Sequence, residues 1–464
     1  MSGIFGVVSQ NDCSHDLFYG TDYHSHLGTQ FAGLAVWSGE LLRKIHDIRG
    51  SQFKTKFYED YKKMVGNKGI GVISSLDEQP ICVNSKFGTF AIVTCGFIDN
   101  ADALAKQLYK KGLSFSEVID GKVNLTELVA KLIIQGKNII DGIENMFLKI
   151  DGSCSLLLLN KEGIYVARDR FGYTPLVVGQ RQRDWAVTTE TTAFSNLGFK
   201  IKKYLEPREI ILIDEQGLKP KRKGESVNQI CAFLWIYTGF PASSYEGINV
   251  EMVRERCGRC LAKNDNIEAD IVAGIPDSGT THAIGYAMES RMPFRRPLVK
   301  YTPGFDRSYT PPSQETRDLI AKMKLIPIPE IIKDSRIVFC DDSIVRGTQL
   351  KNYTIQKLLE CGTKEIHLRI ACPPLMFPCK FNYSTRSINE LAARRAIRAI
   401  EGKDINDVSA YLDEGSFKYE KMVEWITRDL GVTTLKYQKL CNMISAIGLP
   451  KSKLCLYCWT GRQP

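Results

Sequence analysis

The densest chemistry in this sequence lies in RIVFCDDSIVRGTQ, residues 336–349. Asp341 and Asp342 stand side by side after an apolar run. Ser343, Ile344, Val345, Arg346, Gly347 and Thr348 follow, and then a helix-like stretch begins. A strand ending at the carboxylates would hand the chain to a tight loop. The loop's backbone N–H groups, backed by the positive end of the next helix, would converge on one anion, and a phosphate monoester suits that geometry. Gly347 permits the close approach that a phosphate needs. The carboxylates would repel the phosphate itself, so their place is beside it, on sugar hydroxyls or a hydrated Mg²⁺. A bare Asp-Asp pair would mean no more than an acidic turn after a strand; the whole run together points to phosphate.

A second constellation is made of sulfur. Cys455-x-x-Cys458 has the spacing of a ligand pair for zinc or an iron–sulfur cluster. Cys257-x-x-Cys260 repeats that spacing within EMVRERCGRCLA, and spacing alone lets the two pairs share one four-thiolate site. The chain has 14 Cys and no recognisable export signal. Such a chain is expected in a reducing, cytoplasmic setting, with its thiols ligating metal rather than forming disulfides.

The elements that must position these groups follow from length and texture. At ~150 residues per domain, 464 residues suggest two or three domains. A composition of 44% hydrophobic and 25% charged residues excludes a disordered or fibrous chain. No apolar run reaches the ~18–20 residues of a bilayer span, so no membrane anchor is expected. The net charge of +10 is spread thinly and fits an anionic small molecule as well as a nucleic acid; no nucleic-acid partner is expected.

Residues 2–225 carry short strand-like runs separated by turns: GIFGVVS (3–9), FAIVTCGF (90–97), CSLLLLN (154–160), GIYVAR (163–168) and EIILID (209–214). They predict a domain of antiparallel sheet. The basic stretch KPKRKGES (219–226) reads as the boundary. Residues 226–464 alternate strand and helix: DIVAGIP before THAIGYAMESR, RIVFCDD before LKNYTIQKLLECG, then EIHLRIACP. That rhythm predicts a parallel sheet flanked by helices. SINELAARRAIRAI (387–400) and EKMVEWITRDL (420–430) have helical periodicity.

The run at 336–349 resembles the phosphoribosylpyrophosphate (PRPP) loop of type I phosphoribosyltransferases, and in detail that of the glutamine PRPP amidotransferases, which open purine synthesis. AGIPDSGTTHAIGYA (273–287) resembles that family's pyrophosphate-binding segment, with Asp277, Ser278, Gly279 and Thr280 in its turn. RSYTPPSQETRDLIAKMKLIPI (307–328) resembles the loop that closes over PRPP, and RDRFGYTPLVVG (168–179) matches an Arg-Asp-x-x-Gly-x-x-Pro-Leu turn of the first half. The family's Lys-Asn-Arg-Tyr stretch here reads Lys300-Tyr301-Thr302-Pro303, a departure in the charges offered to pyrophosphate. The resemblance implies an Ntn-hydrolase-type αββα sandwich followed by a type I phosphoribosyltransferase domain. It also implies Mg²⁺ near Ser278, Asp341 and Asp342, with Arg307, Lys322 and Lys324 as catalytic cations of the closing loop. In the family's iron–sulfur branch, single ligands stand at the positions of Cys231 and Cys379, so the resemblance implies a structural [4Fe–4S] cluster on Cys231, Cys379, Cys455 and Cys458. A structural zinc in the same thiolates is the alternative.

Family members release ammonia from glutamine with an N-terminal cysteine exposed by loss of Met1. Here Ser2 takes the nucleophile's position. The arginine for glutamine's α-carboxylate is replaced by Ser74, and the oxyanion Asn-Gly pair by Cys95-Gly96. Leu125 replaces the aspartate that should hold the α-amino group. Losing one oxyanion donor alone costs on the order of 10²–10³ in rate. Cys95, with no histidine near it in sequence, reads as core, as do His24 and His26 as structural residues. The expected activity is formation of 5-phosphoribosylamine and pyrophosphate from PRPP and ammonia, the latter free or supplied by a partner glutaminase. The family further implies purine-nucleotide feedback and a homo-oligomer. The rival readings are a non-catalytic PRPP-binding regulator and a transferase for another nitrogen nucleophile.

Overall fold

The computed structural model describes residues 2–119, 121–263, 265–301, 323–382 and 387–463. Strand Gly3–Val8 lies inside a seven-stranded antiparallel sheet, between Asp184–Thr188 and Lys68–Ser74. A six-stranded antiparallel sheet contains Gly88–Ile98, Gly152–Asn160 and Gly163–Ala167. The strand Gly152–Asn160 shows why its sequence runs Leu-Leu-Leu-Leu rather than alternating. Leu157 and Leu159 pack with Ile4 and Val72 of the other sheet, while Leu156 and Leu158 pack under the helices Leu125–Ile134 and Ile139–Lys149. Both faces are covered, so both parities must be apolar. Helices Ser14–Asp22 and Phe53–Tyr61 cover the outer face of the first sheet through Leu17, Phe18, Phe53 and Phe57. The result is the expected αββα sandwich.

The second half holds a four-stranded parallel sheet in the order Ile271–Gly274, Arg336–Asp341, Glu365–Ile370, Thr434–Tyr437. The first three are the expected strands; the fourth, Thr-Leu-Lys-Tyr, is too short and mixed to announce itself. The basic stretch at 219–226 is a linker only in its second part, because Gly217–Arg222 is a strand on the edge of the six-stranded sheet. Its lysines suit an edge strand, where charge discourages pairing with another chain.

The halves are pinned together by buried polar contacts. Glu190 accepts the Tyr245 hydroxyl at 2.5 Å and the Phe240 N–H at 3.2 Å, and the Arg168 guanidinium donates to Glu246 at 2.8 Å. Further on, Ile230–Cys231 pairs in parallel with Leu454–Cys455, placing Cys231 opposite Cys455. Among the described residues, no helix is long and apolar enough to cross a membrane.

Candidate active site and cysteine group

Strand Arg336–Asp341 ends on the first carboxylate, and the loop 342–347 follows. A helical stretch opens at Thr348, its first hydrogen bond running from the Lys351 N–H to the Gly347 carbonyl at 2.9 Å. Gly347 has φ +76°, a left-handed value that a side chain would strain. The loop is held by the segment 390–395. The Val345 carbonyl accepts the Ala392 N–H at 2.8 Å, the Arg346 carbonyl accepts Arg395 at 3.0 Å, and the Arg346 side chain pairs with Glu390 at 2.7 Å. Ile344 is buried beneath it.

The neighbouring strand Ile271–Gly274 is parallel, with Gly274 opposite Cys340, so the segment 275–279 leaves the sheet beside Asp341. A Cβ on Gly279 would fall 2.2 Å from the Cys340 carbonyl oxygen, which is why the turn carries glycine there. Ser278 is thereby brought within hydrogen-bonding reach of both Asp341 and Asp342. The Asp342 N–H donates to the Asp341 carboxylate at 2.9 Å, and the Ser343 hydroxyl donates to Asp342. Thr280 opens the helix Thr280–Ser290, and exposed Asp277 accepts Lys300 Nζ at 2.8 Å. Segments 277–280 and 341–348 therefore meet at the carboxyl ends of adjacent parallel strands, the usual ligand position in such sheets.

Asp341 and Asp342 are 9% and 5% exposed. Removal from water, and for Asp341 the charge of Asp342 beside it, hold both carboxyls above the ordinary range. Such a pair is completed by a cation. The sequence reading missed one contributor, Arg254, whose charge acts on Asp342. Its guanidinium is buried and donates to the carbonyls of Trp235, Tyr237 and Gly239 at 2.8–2.9 Å. The signal was present: Val250, Val253, Arg254, Cys257 and Leu261 form one buried helical face, and a cation on an apolar face needs a reason. Arg307 and Lys322 lie outside the described residues. Lys324 is half-buried, and its carbonyl accepts the Tyr301 N–H at 2.8 Å, next to the hairpin that pairs Lys300 with Leu325.

The four expected cysteines converge. Cys458 feels the charges of Cys379, Cys455 and Cys231, and its free thiol donates a hydrogen bond to Cys379. The N–H groups of Phe381 and Asn382 donate to Cys379 Sγ, each at 3.4 Å. That hydrogen bond from Cys458 and these two N–H donors lower the Cys379 thiol to about 7. The buried amide of Asn382 is directed at Cys231, acting on its thiol as a hydrogen-bonding group. Tyr173, stacked on Phe381 at 4.0 Å, closes the group from the first half. Donors aimed at sulfur fit thiolate ligands of a cluster. Among the described residues, no three or more His, Cys, Asp or Glu side chains gather tightly enough for a single metal ion. Cys257 is core and Cys260 half-buried on the helix Val250–Lys263, away from this group.

Ser2 lines a cavity of about 20 Å³ together with Asp77, Thr94, Cys95, Ser153 and others. Ser74, at the arginine position, spends its hydroxyl oxygen on the N–H groups of Leu76 and Asp77. Cys95 is buried, donates its S–H to the Ser2 carbonyl at 2.7 Å and is pushed up to about 12 by removal from water. It is inert core, as its sequence context indicated. His24 is likewise structural, held between the Gly20 carbonyl (2.9 Å) and the Thr188 hydroxyl (2.8 Å), and burial lowers it to about 4. His26 pairs with Glu190 at 2.8 Å.

Asp77 was not singled out in the sequence. It accepts the Leu125 N–H at 2.9 Å, yet removal from water raises its carboxyl from 3.8 to about 6. Between those values the folded state holds a proton that the unfolded state has lost, so stability falls as pH rises. Asp77→Asn is isosteric and does not titrate. Relative to the parent it should gain on the order of 2–3 kcal/mol from pH 4 to pH 7, read by chemical denaturation at each pH. A difference that stays constant with pH would remove Asp77 from this account.

Comparison with known proteins accords with this geometry. A family model described as "Glutamine amidotransferase domain" matches residues 69–196. The amidophosphoribosyltransferase of Methanocaldococcus jannaschii is 30% identical, the match covering 100% of this chain and 98% of that protein; that of Bacillus subtilis is 29% identical over 100% and 94%. The solved glutamine PRPP amidotransferase from B. subtilis, complexed with ADP and GMP, superposes with a TM-score of 0.84 at 29% identity, covering 100% and 97% of the two chains. A structure described as the allosteric regulatory enzyme of purine biosynthesis gives 0.85 at 28% identity, covering 100% and 96%. From end to end, the chain belongs to the amidophosphoribosyltransferase family.

Proposed function

We propose that this protein joins ammonia to C1 of PRPP, giving 5-phosphoribosylamine and pyrophosphate, and that bound glutamine is not its nitrogen source. The observation that carries this reading is the contrast between its two sites. Ser278, Asp341 and Asp342 are assembled around the N–H-rich loop 343–348, whereas the small cavity at Ser2 is lined by Thr94, Cys95, Gly96 and Leu125 and by no Arg or Asn side chain among the described residues. Ser74 and Leu125 stand where a cation for glutamine's α-carboxylate and an anion for its α-amino group would be expected, and neither carries a charge.

In the reaction, the loop 343–348 binds the 5-phosphate and the carboxylates orient the ribose. Ser278, Asp341 and Asp342 would hold Mg²⁺, which would supply positive charge against the departing pyrophosphate. Lys300 and Lys324 flank the gap in which the resemblance gives Arg307 and Lys322 the role of cations for the pyrophosphate. Cys231, Cys379, Cys455 and Cys458 would hold a [4Fe–4S] cluster that joins the segment 454–458 to the body. By analogy with the nucleotide-bound relative from B. subtilis, purine nucleotides are the expected inhibitors. Free ammonia and a partner glutaminase are the two sources of nitrogen compatible with this reading.

Pyrophosphate release by anaerobically purified protein, with PRPP and Mg²⁺, tests it. Turnover is expected with ammonium, and with glutamine at a rate lower by about 10³ or more, since nucleophile and oxyanion donor are both changed. Comparable rates with the two donors would overturn the claim about glutamine. Tight PRPP binding without pyrophosphate release under any amine would favour a regulator.

A further inference from the structure

The segment 371–379 leaves the parallel sheet beside the carboxylate pair and ends at Cys379 of the sulfur group. Strand Glu365–Ile370 sets Ile370 opposite Asp341, and the next N–H, that of Ala371, donates to the Asp341 carbonyl at 2.9 Å. Farther along, the N–H groups of Met376 and Phe377 donate to the Cys458 carbonyl at 2.9 and 3.1 Å. A Cβ on Gly461 would fall 2.7 Å from the Phe377 ring, so the C-terminal turn lies tight against this segment. Backbone contacts therefore tie one end of the segment to Asp341 and the other to the residues around Cys458.

Trp459 is 3% exposed and stacks on Phe233, with ring centroids 4.9 Å apart and planes 6° from parallel. Its indole is directed at the Cys372 thiol and acts on it as a hydrogen-bonding group. Cys372 is fully buried; removal from water, and then the charge of Asp342, hold its thiol well above the ordinary range, so it is neutral. Asp341 acts on it as well. A buried indole N–H needs an acceptor, and the one it meets here is the thiol on which both carboxylates act. Asp342 is thus backed by Arg254 from the helix Val250–Lys263 and by Cys372 from the segment 371–379. Carboxylates that hold a metal depend on such surroundings for their orientation.

We propose that Trp459 is a positioning residue of the PRPP site: through Cys372 it sets the segment 371–379 against the carboxylate pair, and so fixes the orientation in which Asp341 and Asp342 meet Mg²⁺ and PRPP. The inference rests on the reading of that pair as the carboxylates for Mg²⁺ and PRPP, and adds to it a residue 117 positions away (342 to 459). The role is separate from that of Cys455 and Cys458, whose thiols belong to the sulfur group.

Isothermal titration of the full-length, metal-replete protein with PRPP and Mg²⁺ tests this without requiring turnover. Trp459→Phe keeps a ring on Phe233 and loses the indole N–H; Cys372→Ala loses the thiol. Each should raise the Kd for PRPP by about tenfold or more, the usual effect of losing a group that orients metal ligands. The double variant should bind about as weakly as the weaker single, since both changes break one link. Cys372→Ser, which keeps an acceptor for the indole, should stay within about threefold of the parent. Metal content should equal the parent's throughout. An unchanged Kd in the single variants, whatever their melting temperatures, would make Trp459 a packing residue and overturn the inference. Effects that multiply in the double variant would overturn it too, as would weaker binding that merely follows lost metal. The contrast between Cys372→Ala and Cys372→Ser decides the matter even if Trp459→Phe does not fold: equal affinities would overturn the inference. A parent that binds no PRPP would sink the reading of the carboxylate pair along with it, whereas a parent and variants that bind alike sink only the role of Trp459.

Discussion

Asp342→Asn should lower kcat/KM for PRPP by about 10²–10³, the cost of removing a fixed charge from a site where charge develops. The same variant should melt no lower than the parent. Asp341 and Asp342 are both buried, and each is held above the ordinary carboxylate range, so the unliganded pair is electrostatically strained. An isosteric amide in place of one carboxylate relieves the repulsion and keeps the Ser343 contact in part. Opposite movements of activity and melting temperature mark a group kept for function at the expense of stability. Pyrophosphate release against PRPP concentration, at saturating Mg²⁺ and ammonium, gives the first number; a thermal melt of the same preparation gives the second. Activity within about twofold of the parent would remove the carboxylate pair from the reaction.

The second large effect is expected at the sulfur group. Cys455→Ser should abolish the iron and sulfide content, about four of each per chain when a [4Fe–4S] cluster is held, and lower the melting temperature by roughly 10 °C or more. Cys455 does two jobs at once: it is one of four converging thiols, and its strand pairs with Ile230–Cys231. Tyr173, Phe381 and Tyr457 pack around it, so loss of the group would loosen a contact between the first half and the segment 454–460. Cys260→Ser, half-buried on its helix and outside the group, is the control and should keep full metal content. Metal analysis decides the alternative directly. One zinc per chain without sulfide would replace the cluster by a structural zinc.

The sequence disclosed the phosphate side of the molecule almost completely, because that chemistry is local. A strand, two carboxylates, a glycine and a helix lie within 14 residues, 336–349, and the structure leaves their order unchanged. The αββα sandwich was legible for a related reason. Runs such as the leucines at 156–159 can be apolar at every position only if both faces are buried. Asp77 and Ser153 were opaque. They lie 76 residues apart (77 to 153), and only the pairing of Gly88–Ile98 with Gly152–Asn160 and the start of the helix Leu125–Ile134 bring them to one cavity. Arg254 was readable as an anomaly on an apolar helix face, but its target, Asp342, is 88 positions away (254 to 342) and invisible to periodicity. The basic stretch at 219–226 misled because lysines on an edge strand and lysines in a linker have the same composition.

The pairing of Cys231 with Cys455 also sets a clock. The two strands are 224 residues apart (231 to 455), so the first must wait for the second during translation. At 5–20 residues per second that interval is about 10–45 s. The first half, whose sheets are complete by Arg222, can fold on the ribosome while Ile230 and Cys231 remain without their partner. Whatever the four thiols hold can be installed only after that wait, so nascent chains stalled before Leu454 would carry a folded sandwich and an open, oxidation-prone thiol pair at Cys231 and Cys379.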